Sequence, residues 1–458
     1  MTTDTLQTRR PPAPVPPQGA LGPIALYRAL RANAITAWRA EAYEEAYIVG
    51  RNRLGGFVLL NDPDLIRHVL IDNAANYPKD NLQLEKLTPA VGRGLLTAEE
   101  ESWRLQRRTV APLFQPAGVT SYLAAMAISV DEMLARWDRE TGATVDVARE
   151  MTRLTYDIIS RTVFSNEIET PPDVMGEAIT TYFGALGRID LWDVLPLPRW
   201  LPRPAFIRAK PAQKIFRDEV LRLFERRRAR IAAGESVPDD LVTRLINARD
   251  PETGAPLSDA VVHDNLVTFI GAGHETTANA LTWTLFLLSE FRDADARVAA
   301  EATDAPDADA LARLTDTRMI LEEAMRLYPP VPFMSREARS RDMIGEVAVA
   351  AGTRIIIAPW VLHRHRKLWP DADMFVPERF APENRGRIPR FAYLPFGAGP
   401  RICVGMTFAM QEALLALTMI ARRFRLTLAE GADVMPFARM TLRPMHGLPM
   451  RVEARSSG

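Results

Sequence analysis

The chain has 458 residues, 47% hydrophobic and 25% charged, the balance of an ordinary globular protein. Its 57 basic and 57 acidic side chains leave a formal net charge of zero, which argues against bulk nucleic-acid binding and leaves at most a local basic patch. A single cysteine, Cys403, excludes an intramolecular disulfide and fits a reducing cytosol.

The opening "MTTDTLQTRRPPAPVPPQGALGP" lacks the apolar core of a signal peptide, and its prolines predict a stiff, flexibly attached leader over residues 1–20. Leu21 to Ala42 reads as helix. "AYIVGRNRLGGFVLLND" holds two β-rich runs around a glycine turn, the pattern of a hairpin. Helical patterns dominate after about Pro63, and Asp239–Asp240 stand before "LVTRLINARD" as capping residues do. "LSDAVVHDNLVTFIGAGHETTANALTWTLFLLSEF" is the longest apolar-rich helical pattern; it is hydrophobic on most faces and therefore predicts a helix through the interior. "RLTDTRMILEEAMRLYPP" is a further helix, stopped by Pro329 and Pro330. Strand-like pieces such as "VAVAAGTRIIIAPW" follow. An irregular Pro-rich stretch from Trp369 to Pro395 then leads to the cysteine, and "VGMTFAMQEALLALTMIARRF" closes the series as an apolar helix. No run of about 18 apolar residues is present, so no membrane span is expected. Without repeats or a linker, residues 21–458 read as one large, mainly α domain with small β-sheets.

Cys403 sits in "FGAGPRICVG". A dinucleotide fingerprint fails because Ile402 stands where glycine is needed, and no Lys-Ser/Thr pair follows for a phosphate loop. A protease-type nucleophile and a buried structural cysteine stay open on the residues alone. Cys403 at a helix start would have its thiolate stabilised by backbone N–H groups. Gly397, Gly399 and Gly405 allow close backbone approach to a flat partner, and Arg401 answers anionic groups. These features suit a haem iron ligand with propionates nearby.

Three other stretches stand out. In "EEAMR", Glu323 and Arg326 are three apart on one helical face, the spacing of an ion pair. In "AGHETT", Thr276 is placed to bond back to the Ala272 carbonyl and open the long helix, or to sit on a benign polar ridge. In "WRLQRR", Trp103 and Arg107 share a face, which an amphipathic basic helix also explains. The six histidines form no His-Glu-x-x-His pattern; "HRH" at His363–His365 reads as a solvated loop rather than a metal pair.

"FGAGPRICVG" resembles the cysteine-ligand signature of the cytochrome P-450 superfamily, Phe-x-x-Gly-x-Arg-x-Cys-x-Gly, at every fixed position. "EAMRLYPP", "FVPERF" and "AGHETT" resemble three further motifs of that family in the expected order, across about residues 22 to 453. The resemblance implies haem b with Cys403 as axial ligand and Phe396, Gly405 and Ala272 against the cofactor. It implies Trp103, Arg107, Arg401 and Arg336 as propionate partners, and Glu323, Arg326 and Arg379 as a brace for the cysteine loop. Glu275 and Thr276 become the acid–alcohol pair that manages protons, with His274 at a variable position. The implied activity is monooxygenation: one atom of O2 enters an apolar substrate such as a fatty acid, terpenoid, steroid or aromatic compound. Peroxide-driven turnover, and a haem-thiolate gas sensor or electron carrier, are the competing readings.

One cysteine cannot hold an iron–sulfur cluster, so the electrons are expected from a separate ferredoxin or flavodoxin with its NAD(P)H-dependent reductase. Its docking side would carry Arg104, Arg108, Arg364, Arg366 and Lys367. Four segments of the family's pocket correspond here to Leu95 and Leu96, to Phe269 and Ala272, to Val331, Phe333 and Met334, and to Met440. "LWDVLPLPRWLP", with Trp192 and Trp200, would form an apolar lid. A cytoplasmic monomer that binds no nucleic acid completes the expectation.

Overall fold

The computed structural model describes residues 10–52, 55–187, 190, 203–302 and 307–455. The proposed lid at 191–202, with Trp192 and Trp200, lies outside the described residues. Helices of ten residues or more are α1 (Pro23–Ala32), α2 (Asn81–Val91), α3 (Glu100–Val110), α4 (Leu123–Arg139), α5 (Val147–Val163), α6 (Pro172–Leu186), α7 (Pro204–Ala232), α8 (Asp259–Glu290), α9 (Arg292–Glu301), α10 (Thr315–Leu327) and α11 (Met406–Arg423). The strands are β1 (Tyr47–Asn52), β2 (Gly55–Leu60), β3 (Thr144–Asp146), β4 (Met334–Glu337), β5 (Asp342–Ile344), β6 (Val347–Val349), β7 (Arg354–Ile357), β8 (Phe424–Leu428), β9 (Pro436–Ala438), β10 (Leu442–Pro444) and β11 (Pro449–Ala454). The chain is mainly α with small sheets, as its sequence predicts.

α8 is the interior helix. Ser258 caps it by accepting the Val261 N–H, and its apolar residues on several faces pack against α5, α7, α10 and α11. α10 ends where Pro329 and Pro330 supply no N–H. The Tyr328 ring just beyond it stacks on Trp283 of α8, with centroids 4.0 Å apart and planes 7° from parallel. Its buried hydroxyl needs an acceptor and finds the Pro12 carbonyl at 2.9 Å. The leader is therefore held from Arg10 onward, where a loose one was expected. Arg10 also pairs with Asp373 at 3.1 Å, and Ala13 packs on the main core.

The first helix stops at Ala32 rather than running to Ala42. Asn33 is extended, its amide donating to Pro436 O at 2.8 Å and its side-chain oxygen accepting from Ala438 N at 2.9 Å. Docking onto β9 overrides local helix propensity, and two 3₁₀ turns, Ala34–Ala37 and Ala40–Tyr43, carry the chain onward.

The hairpin forms between β1 and β2, with register Tyr47↔Leu60 through Asn52↔Gly55. The full sheet has order β1-β2-β7-β4, and β2 and β7 run parallel. Side chains alternate across it: Val58, Leu60, Ile355 and Ile357 bury in one cluster with Leu394 and Ala398, while Leu59 and Ile356 pack on the main core. On β4, Met334 and Arg336 lie opposite Ile357 and Ile355 and so share the face that meets the cysteine loop.

Candidate functional site

Cys403 lies three residues before α11, not at its first turn. Its own N–H donates to Phe396 O at 3.0 Å, which closes the loop on itself. Gly399, at φ +73°, is required there because a Cβ would collide with the Leu70 carbonyl of the same chain. The close approach foreseen for this glycine is thus internal, to Leu70. Gly405 precedes α11, and a Cβ on it would meet Cys403 Sγ at 3.9 Å.

The Cys403 side chain is accessible, yet burial pushes its thiol pKa up. The sulfur is thus accessible although the protein around it desolvates it. The Gly405 N–H and the Arg107 charge pull the other way without prevailing, so the thiol is the favoured form in the chain alone.

The brace assembles as a fully buried network. Arg326 holds Glu323 through two bonds of 2.6 and 2.8 Å, both side chains at 0% exposure. The guanidinium also donates to the carbonyls of His363 (2.7 Å), Ala372 (2.7 Å) and Met374 (2.8 Å). Glu323 accepts from Val376 N at 2.8 Å and has Arg379 at 3.5 Å. His363 Nε2 accepts from Leu394 N at 2.8 Å, which ties the network to the segment entering the cysteine loop. Burial, with Arg326 beside it, pushes the His363 pKa down to about 3, so the ring is neutral. The "HRH" stretch is not the solvated loop expected: His363, Arg364 and His365 are all buried.

The four expected propionate residues come to one region. Arg401 pairs with Glu99 at 2.8 Å, donates to Ala98 O at 2.7 Å and lies 4.1 Å over the Trp103 ring. Arg107 donates to Ile402 O at 2.9 Å beside the cysteine, and Arg336 donates to Ser335 O at 2.8 Å. Lys79, which carried no signal in the sequence, joins them by donating to Leu96 O. Burial lowers the pKa of all four cations, Arg401 to about 10 and Lys79 to about 7.

On α8, Thr276 Oγ donates to Ala272 O at 2.9 Å as foreseen, but the helix is continuous and does not open. One bond from a threonine hydroxyl to a carbonyl four residues back leaves the backbone ladder intact. Ala272 is exposed on a helix whose flanking residues are largely buried. Glu275 is held by a 2.6 Å bond from Thr441 Oγ, on the C-terminal turn, a partner that no local pattern announced. His274 points away into the core: its Nδ1 bonds Ile270 O at 2.8 Å, its ring meets Tyr156 edge-on, and burial lowers its pKa.

Of the apolar residues, Leu95 belongs to one buried cluster, and Leu96, Phe269, Met440 and Trp103 pack against it. Phe333 and Phe396 pack against the main core, and Met334 against the cluster under the sheet. Val331 is half-buried. Two arginines of the expected docking surface are engaged by other side chains. Arg364 is buried with its guanidinium 3.7 Å over Trp360, and Arg108 is clamped bidentately on Asp250 at 3.0 Å. Arg104, Arg366 and Lys367 are exposed.

A profile of the Cytochrome P-450 family matches residues 20–449, and the chain belongs to that family. It is a P-450 monooxygenase, an oxidoreductase that incorporates molecular oxygen. It is 32% identical over 406 residues to cyclooctatin synthase of Streptomyces melanosporofaciens, covering 84% of each chain. It is 32% identical to pentalenene oxygenase of Streptomyces avermitilis, over 86% of this chain and 87% of that one. Among solved structures, the cytochrome P450DA heme domain superposes with a TM-score of 0.84 at 27% identity, over 97% and 98% of the two chains. No described helix is long and apolar enough to cross a membrane. The family implies a haem-thiolate cofactor, an organic substrate, O2 and a redox partner. The residues present fit such a cofactor, with an accessible thiol and a cluster of half-buried to buried cations beside it.

Proposed function

We propose that Cys403 ligates haem b and that the protein hydroxylates an apolar small molecule, with electrons from a separate ferredoxin or flavodoxin and its NAD(P)H-dependent reductase. The observation that carries this reading is the sulfur of Cys403, accessible yet desolvated by the protein around it, with the Arg107 guanidinium on the adjoining Ile402 carbonyl. When bound, the haem supplies O2 binding and the redox chemistry of oxygen transfer. The chain's residues hold and protonate around it. Arg107, Arg401, Arg336 and Trp103 would hold its propionates, and the Gly405 N–H would steady the sulfur. Phe396, Ala272 and Gly405 would lie against its ring. Thr276 donates its own proton to Ala272 O, which leaves its oxygen lone pairs to accept from water. Glu275, fixed by Thr441, relays protons toward it.

Thr276→Ala is expected to retain haem and substrate binding while product formed per electron pair falls roughly tenfold or more, the balance appearing as hydrogen peroxide. Oxygen uptake, peroxide and product measured together check this, and unchanged coupling would take Thr276 out of the proton path. Supporting an apolar substrate, Leu95, Leu96, Phe269 and Met440 gather at one apolar cluster, with Val331, Phe333 and Met334 on the segment leading into β4. A titration with apolar and highly polar ligands of matched size should shift the iron spin state with the apolar set. Tight, spin-shifting binding by the polar set alone would contradict it.

A further inference from the structure

We propose that the C-terminal turn Arg439–Thr441 links the end of α6 to proton handling, with Thr441 as the residue that positions Glu275. The inference rests on the proton path proposed above and adds to it what sets the carboxylate in place.

The bond from Thr441 Oγ to Glu275 Oε1 is the only hydrogen bond that the Glu275 carboxylate makes among the described residues. Glu275 is half-buried, so without that bond water and side-chain rotation compete for it. A donor to an ionised carboxylate favours one arrangement by about tenfold or more. A carboxylate has two oxygens. This arrangement commits one to Thr441 and leaves the other for water on the way to Thr276.

The turn that carries Thr441 is fixed at its base and touched at its tip. At the base, Trp283 Nε1 of α8 donates to Leu442 O at 3.1 Å, and Leu442 N donates to Pro330 O at 2.9 Å. At the tip, Arg439 N donates to Thr441 O at 3.1 Å, and Arg439 Nη1 donates to Gly184 O of α6 at 3.2 Å. Gly187, just past α6, packs so closely there that a Cβ would lie 2.7 Å from Met440 N and 2.8 Å from Arg439 Cβ. Its φ is −69°, which any residue adopts, so the glycine answers a lack of space. The Met440 contact is with main chain, which cannot swing aside as a long side chain does. A methyl group at Gly187 therefore pushes the tip, and Thr441, between tip and base, moves with it. Gly184 is the contrast: a Cβ there would meet nothing closer than Arg439 Nη1 at 4.0 Å. The seating of α6 thus reaches Glu275 through the turn.

The test uses the haem-loaded full chain. Thr441→Val keeps the shape and removes the donor, and Thr441→Ser keeps the donor. In the oxygen, peroxide and product balance used for Thr276, Thr441→Val should lose about threefold to tenfold of its product per electron pair, and Thr441→Ser should stay within about twofold of wild type. In a Glu275→Gln background Thr441→Val should add no further loss. Gly187→Ala should reproduce the Thr441→Val loss, and Gly184→Ala should match wild type. The infrared band of carbon monoxide on the reduced protein gives a reading without turnover. It should shift or broaden in Thr441→Val and Gly187→Ala, and stay as in wild type in Thr441→Ser and Gly184→Ala. An unchanged thiolate Soret band shows the cysteine side intact in each variant. Normal coupling in Thr441→Val beside a poorly coupled Glu275→Gln would overturn the positioning role, and so would losses that add in the double variant. Gly187→Ala indistinguishable from Gly184→Ala would overturn the link to α6. Normal coupling in Glu275→Gln would instead remove the proton path on which the proposal stands.

Discussion

Arg326→Ala should leave little folded protein at ordinary temperatures. The guanidinium is completely buried, makes two bonds to Glu323 and three to main-chain carbonyls, and lies 5.2 Å over the Trp369 ring. Its loss strands the buried Glu323 charge, a cost of about 3–5 kcal/mol. Three carbonyls lose a donor as well, at about 1–3 kcal/mol for each that stays dry. Set against a typical total stability of about 5–15 kcal/mol, this is most of what holds the chain folded. Arg326→Lys should fare nearly as badly, because an ammonium cannot reproduce the planar fork that holds Glu323 bidentately. The site itself goes with the brace, since His363 connects Arg326 to Leu394 and the cysteine loop. Urea unfolding followed by far-UV circular dichroism checks this, and a midpoint near wild type would contradict it.

What was legible in the chain was local or periodic. α8, α10 and α11 announce themselves by apolar spacing and stops, and the β1–β2 hairpin by β-rich runs around glycine. Glu323 and Arg326 are readable because three residues of helix put them side by side. Their partners are not, because the His363, Ala372 and Met374 carbonyls are brought to Arg326 by packing across 37 to 48 residues. The same limit explains Asn33, captured by β9 from 403 residues away, and Arg364, whose charge reads as surface until Trp360 covers it. Lys79 shows the limit most clearly at the site. No local pattern marks it, and only the Leu96 carbonyl, 17 residues on, shows where its side chain goes.

Replacing Cys403 has a different consequence from replacing Arg326: the fold should survive and the iron ligand should not. Cys403 contributes an accessible sulfur rather than core packing, and the loop is closed by its backbone N–H, which alanine keeps. In the chain alone burial favours the thiol, and a haem iron bound there would supply the charge that favours the thiolate. The Gly405 N–H and the Arg107 charge favour the same form. The decisive measurement is the absorption spectrum of the reduced protein under carbon monoxide, wild type beside Cys403→Ala. Wild type should show the red-shifted Soret band of thiolate-ligated haem and Cys403→Ala should lose it at unchanged helicity; a variant that kept the band would show that the iron is held elsewhere.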